Sequence, residues 1–112
     1  MSNATLGAGN VAITINGEAM TLRPNLKAAQ TISRQAGGIL GAIQSVGKFE
    51  LDVIVNVIAL GTGTPPKDAE PLAEKVYQNG LSDLVAPVTE YLAVLANGGR
   101  PVSEEQKPAD PQ

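Results

Sequence analysis

Apolar residues alternate with smaller or polar ones from Val11 to Ile15, and a period of two predicts a half-buried β-strand. Asn16 and Gly17 follow, and this pair suits the positive φ angles of a type I′ turn. With these two residues as the loop, Val11 faces Leu22 and the hairpin has one apolar face. That face consists of Val11, Ile13, Ile15, Met20 and Leu22. Because an isolated hairpin is only marginally stable in water, we expect this face to pack on helices.

Two helices are predicted after the hairpin. Pro24 ends the second strand, and Asn25 is a suitable N-cap for the first helix, which Gly37 and Gly38 end. The second helix is shorter and ends near Gly47. The apolar positions recur at helical spacing: Leu26, Ala29, Ile32 and Ala36 in the first helix, and Ile39, Leu40, Ile43 and Val46 in the second.

The next apolar segment is compatible with a helix or with a strand. Residues 53–58 are rich in β-branched side chains, which suit a buried strand. Glu50 and Asp52 favour the first turn of a helix, and no partner strand is evident nearby. We therefore predict a third helix, with apolar positions Leu51, Ile54, Val55 and Ile58.

The second half of the chain predicts further helices after a connector rich in Gly, Thr and Pro at residues 61–66. Residues 67–79 have the pattern of an amphipathic helix. Ser82 is the expected cap of the last helix, Pro87 falls near its beginning, and Asn97 marks its end. The apolar sides are Leu72, Val76 and Tyr77 in the former helix, and Leu84, Val85, Val88, Leu92 and Leu95 in the latter.

These elements predict an α+β fold that is mostly α: an N-terminal two-stranded β-hairpin followed by four or five short helices. We expect a single domain over residues 10–98, after a flexible N-terminus at residues 1–9. Residues 99–112 are expected to form a flexible, disordered tail, because they contain several prolines and charges and Val102 is their one substantial hydrophobe.

Composition and charge narrow the classes of partner. The 112 residues are 43% hydrophobic and 3% aromatic, with a net charge of −3. Lys and Arg form no stripe and are not interleaved with aromatic residues, so neither nucleic-acid binding nor polybasic membrane attachment is expected. The longest apolar run, residues 53–60, is too short to span a bilayer, and the N-terminus lacks the order of regions of a signal peptide. We expect a cytoplasmic protein.

Candidate chemistry is sparse. The chain has no Cys and no His, which excludes disulfides, zinc sites built from these residues and a Ser-His-Asp triad. The carboxylate pairs at helical spacing, Glu70 with Glu74 and Asp83 with Glu90, are expected on solvated faces. The glycine-rich segments 37–41 and 61–64 lack the Lys-Ser/Thr of a phosphate-binding loop, and helix termination or close packing explains them. We therefore predict no catalytic, cofactor-binding or metal-binding residues, no cofactor and no enzymatic activity.

The segment from Gly9 to Ala29 resembles the start of the tail assembly chaperones found in gene transfer agents and related siphophages. The matching features are the Asn16-Gly17 turn, the strand end at residues 22–24, the helix from Leu26 and its glycine end. The likeness extends to residue 63 through the second and third helices. One departure is that residues 28–33 lack the acidic residue that family members often carry there.

The resemblance implies a phage or prophage morphogenesis factor in the bacterial host cell. Such chaperones bind the tape-measure protein, keep its apolar helices soluble and help to recruit tail-tube subunits. Two alternatives are a structural virion subunit of the tail tube or terminator, and a small adaptor unrelated to phages. The partner-binding face is not assigned by the sequence, and the stripe of the last helix at Leu84, Val88 and Leu92 is the first place to test for it.

Overall fold

The protein contains one β-hairpin followed by five α-helices in the computed structural model, which describes residues 9–102. The strands are β1 (Val11–Ile15) and β2 (Glu18–Leu22). The helices are α1 (Leu26–Ala36), α2 (Ile39–Gly47), α3 (Leu51–Thr62), α4 (Ala69–Asn79) and α5 (Ser82–Ala96), with a short 3₁₀ helix at Pro66–Asp68. The predicted fold class is confirmed. The predicted flexible N-terminus and disordered tail lie outside the described residues, apart from residues 9 and 99–102.

The hairpin has the predicted register. Val11 pairs with Leu22 and Ile15 with Glu18, and the turn residues Asn16 and Gly17 have φ angles of 52° and 85°, as a type I′ turn requires. The three apolar β1 side chains and Leu22 are buried, while Met20 is partly buried. The hairpin therefore supplies one side of the core, and the helices cover it.

The start and end of α1 are determined locally. The Asn25 side chain accepts a hydrogen bond from the Ala28 N–H at 2.8 Å, and Gly37 ends the helix with a φ of 74°. Ile32 and Ala28 face the core, whereas Leu26 is 71% exposed, contrary to the sequence pattern. Leu26 lies six residues before Ile32, which at 3.6 residues per turn is about a third of a turn away around the helix axis. Leu26 therefore lies outside the buried face of α1.

Helix α3 resolves the ambiguity of residues 53–58 in favour of a helix. It packs on β2 and on all four other helices, and its buried residues lie around much of its circumference: Ile54, Val55, Val57, Ile58 and Gly61. Because burial on several sides removes the polar face of an amphipathic helix, its sequence resembles that of a buried strand. The Asn56 side chain donates to the Gln35 side chain on α1.

The last two helices differ from the sequence pattern at their starts. Helix α4 begins at Ala69, two residues later than predicted, because Pro66–Asp68 forms the 3₁₀ helix. The prediction that Ser82 caps α5 is wrong: Ser82 is the first helical residue, and no side chain caps this helix. Pro87 lies within α5 and removes the donor to the carbonyl of Asp83, whose exposed position allows water to replace it.

Helices α1 and α2 and the C-terminal part of α5 lie side by side. Helix α2 packs on α1 and on α5, and α5 also packs on β1. The joint between α1 and α2 is tight, because a Cβ on Gly41 would collide with the carbonyl oxygen of Ala36. This arrangement brings residues from three separate segments of the chain to one face of the molecule.

Candidate partner-binding surface

The acidic residues that pair at helical spacing are all solvated. Glu70, Glu74, Asp83 and Glu90 are exposed, and Glu74 accepts a hydrogen bond from the Gln78 side chain. Across residues 9–102, no three His, Cys, Asp or Glu side chains lie close enough together to hold a metal ion. The solvated-face interpretation of these carboxylates is confirmed.

The glycine-rich segments have structural roles. Gly37 and Gly38 have φ angles of 74° and 105° at the turn from α1 to α2, and Gly41 allows the two helices to approach. In the second segment, Gly63 ends α3 with a φ of 78°. A Cβ on Gly61 would lie 3.0 Å from Leu22, so the absence of a side chain allows α3 to pack closely on β2. Helix termination and close packing account for these glycines, as predicted.

Tyr91 is the one tyrosine in the core, and the sequence pattern did not single it out. It is fully buried, and its hydroxyl donates a hydrogen bond of 2.8 Å to the carbonyl oxygen of Arg23. The Arg23 N–H in turn donates to the Gly61 carbonyl. Burial raises the pKa of Tyr91 to about 12. The hydroxyl therefore joins α5, the end of β2 and α3, which is a structural role.

The apolar stripe of α5 belongs to the core. Leu84, Val88 and Leu92 are each at most 1% exposed, so polar substitutions there would disrupt the fold instead of probing a partner. Within the described part of the chain, the large exposed hydrophobic residues lie elsewhere: Leu26, Leu40, Phe49, Tyr77 and Val102. These exposed hydrophobic residues are the ones that a partner could contact. The sequence pattern had placed Leu26, Leu40 and Tyr77 on buried faces.

Phe49 is unusual in its backbone as well as in its exposure. It is 49% exposed and has a φ of 63°, in the left-handed region that glycine usually occupies after a helix. It follows the end of α2, and its N–H donates to the carbonyl of Val46. The next residue, Glu50, donates from its N–H to Ser45. A Schellman-type helix end thus imposes this conformation on an aromatic residue.

Two adjoining depressions form a groove along α1. The first has a volume of about 360 Å³ and lies between the start of α1 and the end of α5; the second, of about 450 Å³, lies between α1 and the start of α2. Both are lined by Ala29, which joins them. We call them together the α1 groove; its lining residues are Pro24, Asn25, Leu26, Ala29, Gln30, Ser33, Arg34, Ile39, Leu95, Gly98 and Gly99.

A third depression continues the apolar surface along α2. Its volume is about 530 Å³, and it is lined by Ile43, Ala93, Ala96, Asn97 and Val102. Ile43 lies one helical turn after Ile39, which lines the α1 groove. The exposed side chain of Leu40 lies between these two positions in the sequence. Helix α2 therefore contributes an apolar side chain to two of the three depressions.

Positive charge borders the α1 groove. Arg34 lines it, and Lys27 lies two helical turns earlier, near the same side of α1. The guanidinium group of Arg100 lies against Gly98, at the other end. Residues 23–48 contain four basic and no acidic residues, a bias that is visible in the sequence and that the net charge conceals. Within the described residues, the one ion pair is Lys75 with Glu18, away from the groove.

No helix among residues 9–102 combines the length and the apolar character needed to cross a membrane. The chain matches no protein-family model, no curated protein and no solved structure.

Proposed function

We propose that this protein is a tail assembly chaperone of a phage or prophage-like element. In this role it binds the tape-measure protein in the bacterial cytoplasm, keeps the apolar helices of that protein soluble and helps to recruit tail-tube subunits. The resemblance of residues 9–63 to such chaperones supplies the identity of the partner. The observation that carries the proposal is the open apolar α1 groove, which a chaperone for apolar helices requires.

The physical properties of the groove support this role. Its lining combines small and apolar residues with polar ones at the edges, and Leu26, which lines it, is 71% exposed. A groove between helices is a common way to hold the apolar face of an amphipathic helix. The net charge of −3 favours solubility of the chaperone while this surface is empty.

The proposal is tested by co-expressing the full chain with the tape-measure protein encoded by a neighbouring gene. We expect the soluble fraction of the tape-measure protein to rise and the two proteins to co-purify. An unrelated soluble protein of similar size and charge, expressed at the same level, serves as the control and should give no rescue.

Two other results would contradict the proposal. Stoichiometric amounts of the protein in purified particles, measured by mass spectrometry, would identify a virion subunit. Absence of both rescue and complex, with the chain folded as judged by circular dichroism, would favour an adaptor unrelated to tail assembly.

A further inference from the structure

We infer that the α1 groove binds an amphipathic helix of a partner protein whose apolar face is flanked by acidic residues. Identification of that partner with the tape-measure protein rests on the proposed function. The size, lining and charge of the groove support the binding mode independently of that identification.

The size of the groove fits a short helical segment. It follows α1, whose 11 residues extend over roughly 16 Å at 1.5 Å per residue. A partner helix lying along it would therefore make contact over about three turns. The two depressions, of about 360 and 450 Å³, lie along this length and are joined at Ala29.

The lining favours a helix over an extended peptide. An extended peptide gains affinity from main-chain hydrogen bonds to the edge of a sheet. Most of the groove is formed instead by α1, α2 and α5, whose interior backbone groups are already hydrogen-bonded within the helices. Ala29 and Ser33, one turn apart on α1, leave room for a partner helix to approach, and Leu26 and Ile39 offer apolar contacts at the two ends.

Charge determines which helix is preferred. Arg34 and Lys27 lie on α1, which contains no acidic residue, and Arg100 lies at the far end. Neither Arg34 nor Arg100 forms an ion pair with another described residue. Acidic residues flanking the apolar face of the partner helix would complement the positive charge that borders the groove, whereas basic residues in those positions would be repelled.

Two synthetic helical peptides test this inference. Both carry the same Leu and Ala face and have about 18 residues, so that each is long enough to form a helix; one has Glu flanks and the other Lys flanks. We expect the Glu-flanked peptide to bind the full chain about tenfold or more tightly at low salt, with the difference shrinking as salt screens the charges. Equal affinity for the two peptides would overturn the inference.

Charge-reversal variants locate the site. Arg34→Glu should weaken binding of the Glu-flanked peptide about threefold to tenfold and strengthen binding of the Lys-flanked one. The matched control is Lys67→Glu, which makes the same change of charge at an exposed position in the 3₁₀ helix and should leave both affinities within about twofold. Equal effects of the two variants would overturn the inference.

A second matched pair tests the apolar contact. Leu26 and Tyr77 are 71% and 70% exposed, so replacing either by Gln should leave the fold intact. Leu26→Gln should lower peptide affinity about tenfold, because the contact made on binding is lost, and Tyr77→Gln should not. If the chain forms a dimer and Leu26→Gln abolishes it, the inference is overturned, because a second copy of the chain would then occupy the groove.

Residues 103–112 contain three acidic residues and one basic residue, so their removal is a further test of the inference. A large gain in affinity for the Glu-flanked peptide when this segment is removed would assign the groove to the chain itself and overturn the inference. Repeating the co-expression experiment with Arg34→Glu and Leu26→Gln separates the two proposals. Rescue that both variants leave unchanged would refute the site but not the function. Peptide binding without any rescue would refute the function but not the site.

Discussion

The substitution Tyr91→Phe isolates one hydrogen bond in the core. The ring stays fully buried against Gly61, and only the hydroxyl that donates to the Arg23 carbonyl at 2.8 Å is removed. A hydrogen bond of this kind contributes about 1 kcal/mol net, and an acceptor left without a donor costs about 1–3 kcal/mol. Because this hydrogen bond is only partly buried, water can partly replace the lost donor at the Arg23 carbonyl. We therefore expect the free energy of unfolding to fall by about 1–2 kcal/mol.

Urea denaturation followed by far-ultraviolet circular dichroism measures this loss. In a domain of this size, about 1 kcal/mol corresponds to roughly 4 °C in Tm, so thermal unfolding should show a decrease of about 4–8 °C. The matched control is Tyr77→Phe, which removes a hydroxyl from a side chain that is 70% exposed and should change the free energy of unfolding by less than about 0.5 kcal/mol.

The same residue predicts the alkaline behaviour of the protein. Folding raises the pKa of Tyr91 to about 12, above the ordinary value of about 10. Because burial disfavours tyrosinate in the folded chain, the contribution of Tyr91 to stability is fully present below pH 10 and is lost as the pH rises through about 12. Titration of tyrosinate absorbance in Tyr77→Phe, where Tyr91 is the only tyrosine, measures the pKa of Tyr91 directly.

Two results would refute this reasoning about Tyr91. One is a free energy of unfolding for Tyr91→Phe that equals that of the parent chain. The other is tyrosinate formation in the folded protein with a midpoint near 10, which would show that the hydroxyl is solvated.

The remaining predictions concern backbone positions and are checked by the same denaturation experiment. Gly61→Ala should destabilise the protein by about 1 kcal/mol, because crowding of the new Cβ against Leu22 at 3.0 Å and Tyr91 at 3.2 Å outweighs the better helix propensity of Ala. Gly47→Ala should instead stabilise it by up to about 1 kcal/mol, because the new Cβ meets no atom within 4 Å; the same sign for both substitutions would contradict the packing argument. Phe49→Gly should be more stable than Phe49→Ala by about 1 kcal/mol, because both lose the same ring and only glycine adopts a φ of 63° without strain. Equal stability of these two variants would show that the turn relaxes.

Local sequence signals were sufficient for the elements whose determinants are close together in the chain. The Asn16-Gly17 pair specifies a turn by its φ angles, and the turn with the alternating pattern specifies the register. Asn25 and Gly37 bound α1 because capping involves only neighbouring backbone groups. The β-branched residues of α3 also suited a strand, and the helix was correctly predicted from the acidic residues of its first turn and the lack of a nearby partner strand.

The sequence pattern erred where it had to distinguish the core side of a helix from its flanks. It placed Leu26, Leu40 and Tyr77 on apolar faces, but each lies about 120–140° around the helix axis from the direction in which its helix is buried. An apolar residue at helical spacing contacts the core only if a neighbouring element lies in that direction.

The sequence by itself therefore determined the hairpin, the order and approximate limits of the helices, the absence of Cys and His chemistry, and the excess of positive charge over residues 23–48. Tertiary structure alone decided that the stripe of α5 is core and that Leu26 is exposed. It also brought α1, α2 and the end of α5 together as the α1 groove. The physical reason is that caps, turns and charge runs depend on residues a few positions apart, whereas a surface depends on contacts between segments up to about 75 residues apart.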